Sequence, residues 1–142
     1  MLYLHGIGHF HPENVITNRF LEELEIGTDE AWILERVGIR ERRTVLPLDY
    51  IRETKNQDPR AAHEASLYSN AQMAAKAARM ALDRAELQPG DIHLVISGSS
   101  APSRITPAEA SMVAAELGID APCFDLNSAC STFGMQLDVL RR

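Results

Sequence analysis

The sequence lacks any apolar run near the roughly 20 residues that a membrane-spanning helix needs, so no membrane contact is expected. It also lacks a surplus of positive charge. Fourteen Lys and Arg stand against 20 Asp and Glu, for a formal charge of −6. Neutralising a phosphate backbone needs the opposite balance, which argues against nucleic acid as a partner. Cysteine is scarce: Cys123 and Cys130 make no disulfide framework, and their spacing is too wide for a CxxC redox pair. Met1 to Phe10 have neither the basic start nor the long apolar core of a signal peptide, so the cytoplasm is the expected compartment. Metal ligands are sparse as well. His5, His9 and His11 lie near one another, but no Cys or carboxylate set accompanies them, and no metal is expected. Gly6-Ile7-Gly8 starts like a dinucleotide fingerprint, but His11 breaks it; close approach of the backbone to the sheet is the better reading.

What is present is a globular composition, 142 residues with 45% hydrophobic and 24% charged, enough for one ordinary domain. Residues 2–10 alternate like a strand. Asn18 is a candidate cap for a short helix over 19–24. Thr28 and Asp29 are good N-cap types for a helix to Val37, with Gly38 as its stop. A short strand is expected over 39–46. The segment 47–60, with two prolines and many polar groups, reads as a loop with at most one helical turn. From Ala61 to Leu87, Leu67, Ala71, Ala74, Ala78, Ala81, Leu82 and Ala85 recur at helical spacing, and the small face suits close packing. Buried strands are expected at 92–97 and 122–127. A helix lies between them at 107–118, with Pro107 near its first turn and Gly118 as its cap. Ser131 to Arg142 turns helical again, so the last residues read as the middle of a helix. Alternating strands and helices predict an α/β layered sheet built from βαβ units.

The strongest chemical feature is Asn127-Ser128-Ala129-Cys130-Ser131-Thr132-Phe133. It puts a cysteine where a strand turns into a helix. Unpaired N–H groups and the helix dipole there favour a thiolate, the nucleophilic form of cysteine. The plainer reading is a small core hydrophobe. Cys123, inside the apolar strand, reads as core. Arg36, Arg40, Arg42 and Arg43 form a local basic cluster: a solvated face, or a phosphate site where the guanidinium fork suits the oxygens. Trp32 lies one helical turn from Arg36, as a core aromatic or as a ring that stacks a nucleotide base.

Together these residues resemble the type III 3-oxoacyl-acyl-carrier-protein synthases of the thiolase-like superfamily. Three blocks carry the resemblance in order: TDEAWILERVGIRERR over 28–43, the small-residue helix and Asp-Ile strand over 71–96, and FDLNSACSTF over 124–133. The resemblance implies a thiolase-like α/β fold, of which residues 1–142 are the N-terminal βαβαβ half, with extra residues at 46–68. It implies that Cys130 takes an acyl group from acyl-coenzyme A as a thioester. The acyl group then condenses with a malonyl group on acyl carrier protein, with loss of carbon dioxide. Trp32 and Arg36, with Thr28 beside them, match the residues that hold the adenine nucleotide of coenzyme A. Coenzyme A thioester is thus a substrate, and no separate cofactor is implied. The His and Asn that stabilise the enolate belong to a C-terminal half, and the enzyme is expected as a homodimer. Thr106 stands where the family often has a bulky aromatic that closes the acyl tunnel, which suggests a roomier pocket. Ser131-Thr132 stand where small Ala-Gly types are usual, which suggests a changed pocket entrance. Two other readings remain. One is a non-catalytic partner subunit of such a ketosynthase, against which the retained Cys130 argues. The other is a coenzyme A or nucleotide-binding α/β module using Trp32 and Arg36 alone.

Overall fold

Residues 11–68 of the computed structural model build one of two units; Met1–Phe10 and Ser69–Arg142 build the other, and all 142 residues are described. In the first unit β1 (Asn14–Thr17) pairs antiparallel with β2 (Glu41–Thr44), Asn14 opposite Thr44 and Thr17 opposite Glu41. Helix α1 (Asn18–Glu23) follows β1 directly. Thr17, not Asn18, caps it: the Thr17 hydroxyl accepts Phe20 N at 3.1 Å. Asn18 is instead the first helical residue and is buried, its amide donating to Ile39 O at 2.8 Å and accepting from Arg42 at 2.9 Å. Helix α2 (Glu30–Arg36) starts as expected, with Asp29 accepting Trp32 N at 2.7 Å. Gly38, at φ +73°, ends it by donating to Ile33 O, a conformation that glycine adopts without strain.

The segment 47–60 departs from expectation. It is not a loop: Leu48–Thr54 form α3, and Pro59–Ala65 form α4. Both prolines sit at helix starts, Pro47 at the cap of α3 and Pro59 in the first turn of α4, where a missing N–H costs nothing. Asp58 caps α4 through Arg60 N at 2.9 Å. These helices fold because α3 buries Ile51 against Phe20, Leu24 and Leu46, and Ala62 and Ala65 of α4 pack on that cluster. The Arg52 guanidinium lies 4.9 Å from the centre of the Phe20 ring.

In the second unit α5 (Asn70–Ala85) begins at a reciprocal cap, Ser69 with Gln72, so the helical run expected from Ala61 is broken at 66–69. Strand β3 (Val95–Ser97), helix α6 (Glu109–Leu117) and strand β4 (Cys123–Asp125) form a parallel βαβ unit, with Val95 opposite Cys123 and Ser97 opposite Asp125. Ala71 and Ala75 of α5 meet Val113 and Leu117 of α6 in the core; the alanines let the helices approach closely. The short side chains also leave an open apolar groove of about 560 Å³ between α5, β3 and α6, with His5 at its edge. Gly118 closes α6 as expected, but the helix starts at Glu109, after Pro107 rather than with it. Neither strand is buried as predicted. Both are three residues long, each has one partner, and Phe124 is 37% exposed. Residues 2–10 form no ladder either. They lie on α5, where a Cβ at Gly8 would collide with the Ala77 carbonyl and one at Gly6 with that of Ala81. Arg84 donates to Ile7 O at 2.8 Å and holds the segment there. The expected close approach is real, but its partner is a helix. Helix α7 (Thr132–Arg141) leaves Phe133, Leu137 and Leu140 exposed. No helix is long and apolar enough to cross a membrane.

Candidate active site

The main chain leaves β4 at Asp125, and Leu126 N still reaches Ser97 O at 2.8 Å. It then turns sharply. Ala129 has φ +47°, a left-handed conformation that costs a residue with a Cβ about 1–2 kcal/mol. Cys130 follows in a 3-10 turn, Ala129–Ser131, which leads into α7. Its thiol is exposed. The strand–turn–helix setting expected from the sequence is therefore present, and the turn displays the sulfur rather than packing it away. Cys123 differs, as the sequence suggested: it is half-buried in β4 and its thiol donates to Ala121 O at 3.1 Å.

Side-chain oxygens hold the turn. The Thr132 hydroxyl accepts Ser128 N at 2.8 Å and lies 2.8 Å from Ala129 O. Asn127 Oδ1 accepts Ala129 N at 3.1 Å, and Asn127 Nδ2 donates to Ser99 O at 2.8 Å. The hydroxyls of Ser128 and Ser131 are 2.8 Å apart.

The loop between β3 and α6 carries Thr106, which is exposed, as is Ile105 before it. Two acidic residues that sequence reading passed over anchor this region. Asp125 caps α6 from β4: Oδ2 accepts Glu109 N and Oδ1 accepts Ala110 N, both at 2.8 Å. Glu109 is only 3% exposed, and its Oε2 accepts Ser103 N at 2.9 Å and the Ser103 hydroxyl at 3.0 Å. Nothing in local spacing marks either role, because each depends on residues brought together by the βαβ turn. No three His, Cys, Asp or Glu side chains gather as a metal site.

Thr28, Trp32 and Arg36 belong to the other unit. Trp32 projects from α2 with 53% of its surface exposed, so it is not a core aromatic. Arg36, one turn on, is exposed and forms none of the chain's ion pairs. Thr28 Oγ1 is buried without a hydrogen-bond partner. The rest of the basic cluster is partly committed elsewhere: Arg42 to Asn18, Arg43 to Glu13 O and the Glu41 carboxylate.

No protein-family model matches the chain. Curated relatives do. A beta-ketoacyl-acyl-carrier-protein synthase III of Alkalilimnicola ehrlichii is 37% identical over 136 residues, 94% of this chain and 36% of the relative. Among solved structures, 3-oxoacyl-acyl-carrier-protein synthase III from Aquifex aeolicus superposes with a TM-score of 0.76 at 32% identity, covering 95% of this chain and 37% of its own. AbyA1, a tetronic acid condensing enzyme, gives a TM-score of 0.78 at 29% identity, covering 96% and 38%. The chain thus spans about a third of the length of the relatives it matches, and over that third it shares the mixed α/β fold of these ketosynthases.

Proposed function

We propose that this chain is the N-terminal, nucleophile-bearing half of a condensing enzyme of the 3-oxoacyl-acyl-carrier-protein synthase III type, in fatty-acid or polyketide synthesis. The observation that carries the reading is the exposed Cys130 on a strained strand–turn–helix, in a chain that matches such synthases over nearly all its length. The Cys130 sulfur attacks the carbonyl carbon of acyl-coenzyme A. A carbon–sulfur bond forms to the enzyme, the bond to coenzyme A breaks, and coenzyme A leaves as the thiol after taking a proton. The acyl group then passes to the carbanion released when malonyl-acyl carrier protein loses carbon dioxide. Two steps let one sulfur serve two acyl carriers. The enolate formed in the second step needs hydrogen-bond donors aimed at its oxygen. A C-terminal half supplies them, in the remaining polypeptide or as a second chain.

Trp32 and Arg36 hold the adenine nucleotide of coenzyme A, the ring stacking the base and the guanidinium meeting phosphate, with the Thr28 hydroxyl at hand. An exposed aromatic beside an unpaired arginine supports that role. Thr106 lies at the acyl pocket of a homodimeric cytoplasmic enzyme, where its small side chain favours a longer acyl group than acetyl.

Iodoacetamide labelling of the assembled enzyme, read by peptide mass, tests the reading. Cys130 is alkylated fast, Cys123 slowly, and acyl-coenzyme A protects Cys130. Equal rates at the two cysteines, or a faster Cys123, would overturn it.

A further inference from the structure

A turn that keeps Ala129 at φ +47° relaxes unless something holds it. The Thr132 hydroxyl meets three consecutive residues of that turn. It accepts Ser128 N at 2.8 Å and donates to Ala129 O at 2.8 Å or to Asn127 Oδ1 at 3.2 Å. One oxygen thus ties the residue before the strained one to the carbonyl of the strained residue itself, immediately before Cys130. The side chain is itself fixed. β-branching leaves Thr132 few rotamers. Its methyl also lies where a Cβ on Gly98 would collide with it, so the loop after β3 packs directly on Thr132. We propose that Thr132 is a positioning residue for acyl transfer: its hydroxyl holds the Cys130 turn in the geometry from which the sulfur attacks. This rests on Cys130 being the nucleophile.

Thr132→Val keeps the shape and removes the hydroxyl, leaving Ser128 N–H without its acceptor. Thr132→Ser keeps the hydroxyl and removes the methyl. A reactive group displaced by about 1 Å loses on the order of a hundredfold in rate. We therefore expect Thr132→Val to lower the limiting rate of Cys130 acylation by about tenfold or more. The half-saturating concentration should move less than about twofold, since the hydroxyl serves the transition state and not binding. Thr132→Ser should stay within about threefold of the parent rate.

The assembled enzyme is offered acetyl-, octanoyl- and palmitoyl-coenzyme A together, the acylated peptide is identified by mass, and the rate is then measured with the preferred donor. A slow Val variant with a fast Ser variant supports the proposal. Two fast variants overturn it, and so do two equally slow ones, which would make the methyl rather than the hydroxyl the brace. If Thr132→Val fails to fold, Thr132→Ala takes its place beside Thr132→Ser: a slow Ala variant with a fast Ser variant supports the proposal, and equal rates overturn it. Acylation of no donor at Cys130 in the unaltered enzyme is a separate result: it overturns the nucleophile reading, and this proposal with it.

Discussion

Asp125 is the sharpest place to test how β4 and α6 hold each other. Its two carboxylate oxygens each accept one backbone N–H from the first turn of α6, both at 2.8 Å. Replacing it with Ala removes an N-cap, typically about 1 kcal/mol. It also removes a negative charge at the positive end of the helix, worth about 0.5 kcal/mol at an exposed position. Asp125 is exposed, so neither figure is taken above its typical size. The expected total is about 1.5 kcal/mol, slightly more than tenfold in the folded-to-unfolded ratio. Asp125→Asn is the more informative change. The amide has one oxygen, so it keeps one of the two bonds and turns an NH₂ toward the other N–H. It should lose about 1 kcal/mol despite its matching shape. Urea unfolding measures the loss, and amide hydrogen exchange at Glu109 and Ala110 locates it. If Asp125→Asn is as stable as the parent and both amides stay protected, the cap is not holding α6 and the reasoning fails.

Other substitutions separate different causes. Gly8→Ala drives a Cβ into backbone atoms of Ala77 and Ala81 that cannot step aside, and should cost about 1–3 kcal/mol. Gly38→Ala has open space around it and loses only the left-handed conformation, about 1 kcal/mol; equal losses in thermal unfolding would refute the distinction. Trp32→Ala should weaken coenzyme A binding by about 1–3 kcal/mol in calorimetry, and unchanged binding would remove Trp32 from the site. Tyr68 donates to Glu13 Oε1 at 2.9 Å, and that hydrogen bond, then desolvation and the carboxylate's charge, raises the phenol above the usual tyrosine range. A raised pKa means the folded form keeps its proton longer. The stabilising contribution is therefore complete below the ordinary tyrosine pKa and is lost as pH rises through the raised one. Ultraviolet titration should show one late-ionising tyrosine that Glu13→Ala, which removes both acceptor and charge, brings back; no change on that substitution would refute the pairing.

Much of this was legible in the order of residue types. The small-residue face of α5, the Asp29 cap, the Gly38 and Gly118 stops and the turn around Cys130 follow from periodicity and local chemistry, and all of them stand in the structure. Proline misled. Pro47 and Pro59 read as breakers, yet each stands at the start of a helix that Ile51 or Ala62 then fastens to the core, and no local signal carries that packing. Asn18 and Thr17 are both good caps, and burial of Asn18 against Ile39 and Arg42 decided between them. Cys130 in one unit, and Trp32 and Arg36 in the other, could be named as candidates because residue type and spacing suggest their chemistry. Asp125 and Glu109 could not, and Thr132 stands out only as a departure from small Ala-Gly types, not for its bonds to the turn. Their work depends on where a hydroxyl or carboxylate lands once β3, α6 and β4 have closed.

The hold of α5 on the first residues sets an order of events during synthesis. Gly6 and Gly8 leave the ribosome well ahead of Ala77 and Ala81, on which they rest and which follow about 70 residues later. At about 5–20 residues per second, residues 6–8 wait several seconds for α5 to follow. Residues 11–68, which form a unit of their own, emerge within that interval. The segment closes onto α5 only afterwards, as a late and long-range event, so its docking should track the emergence of α5 rather than early collapse.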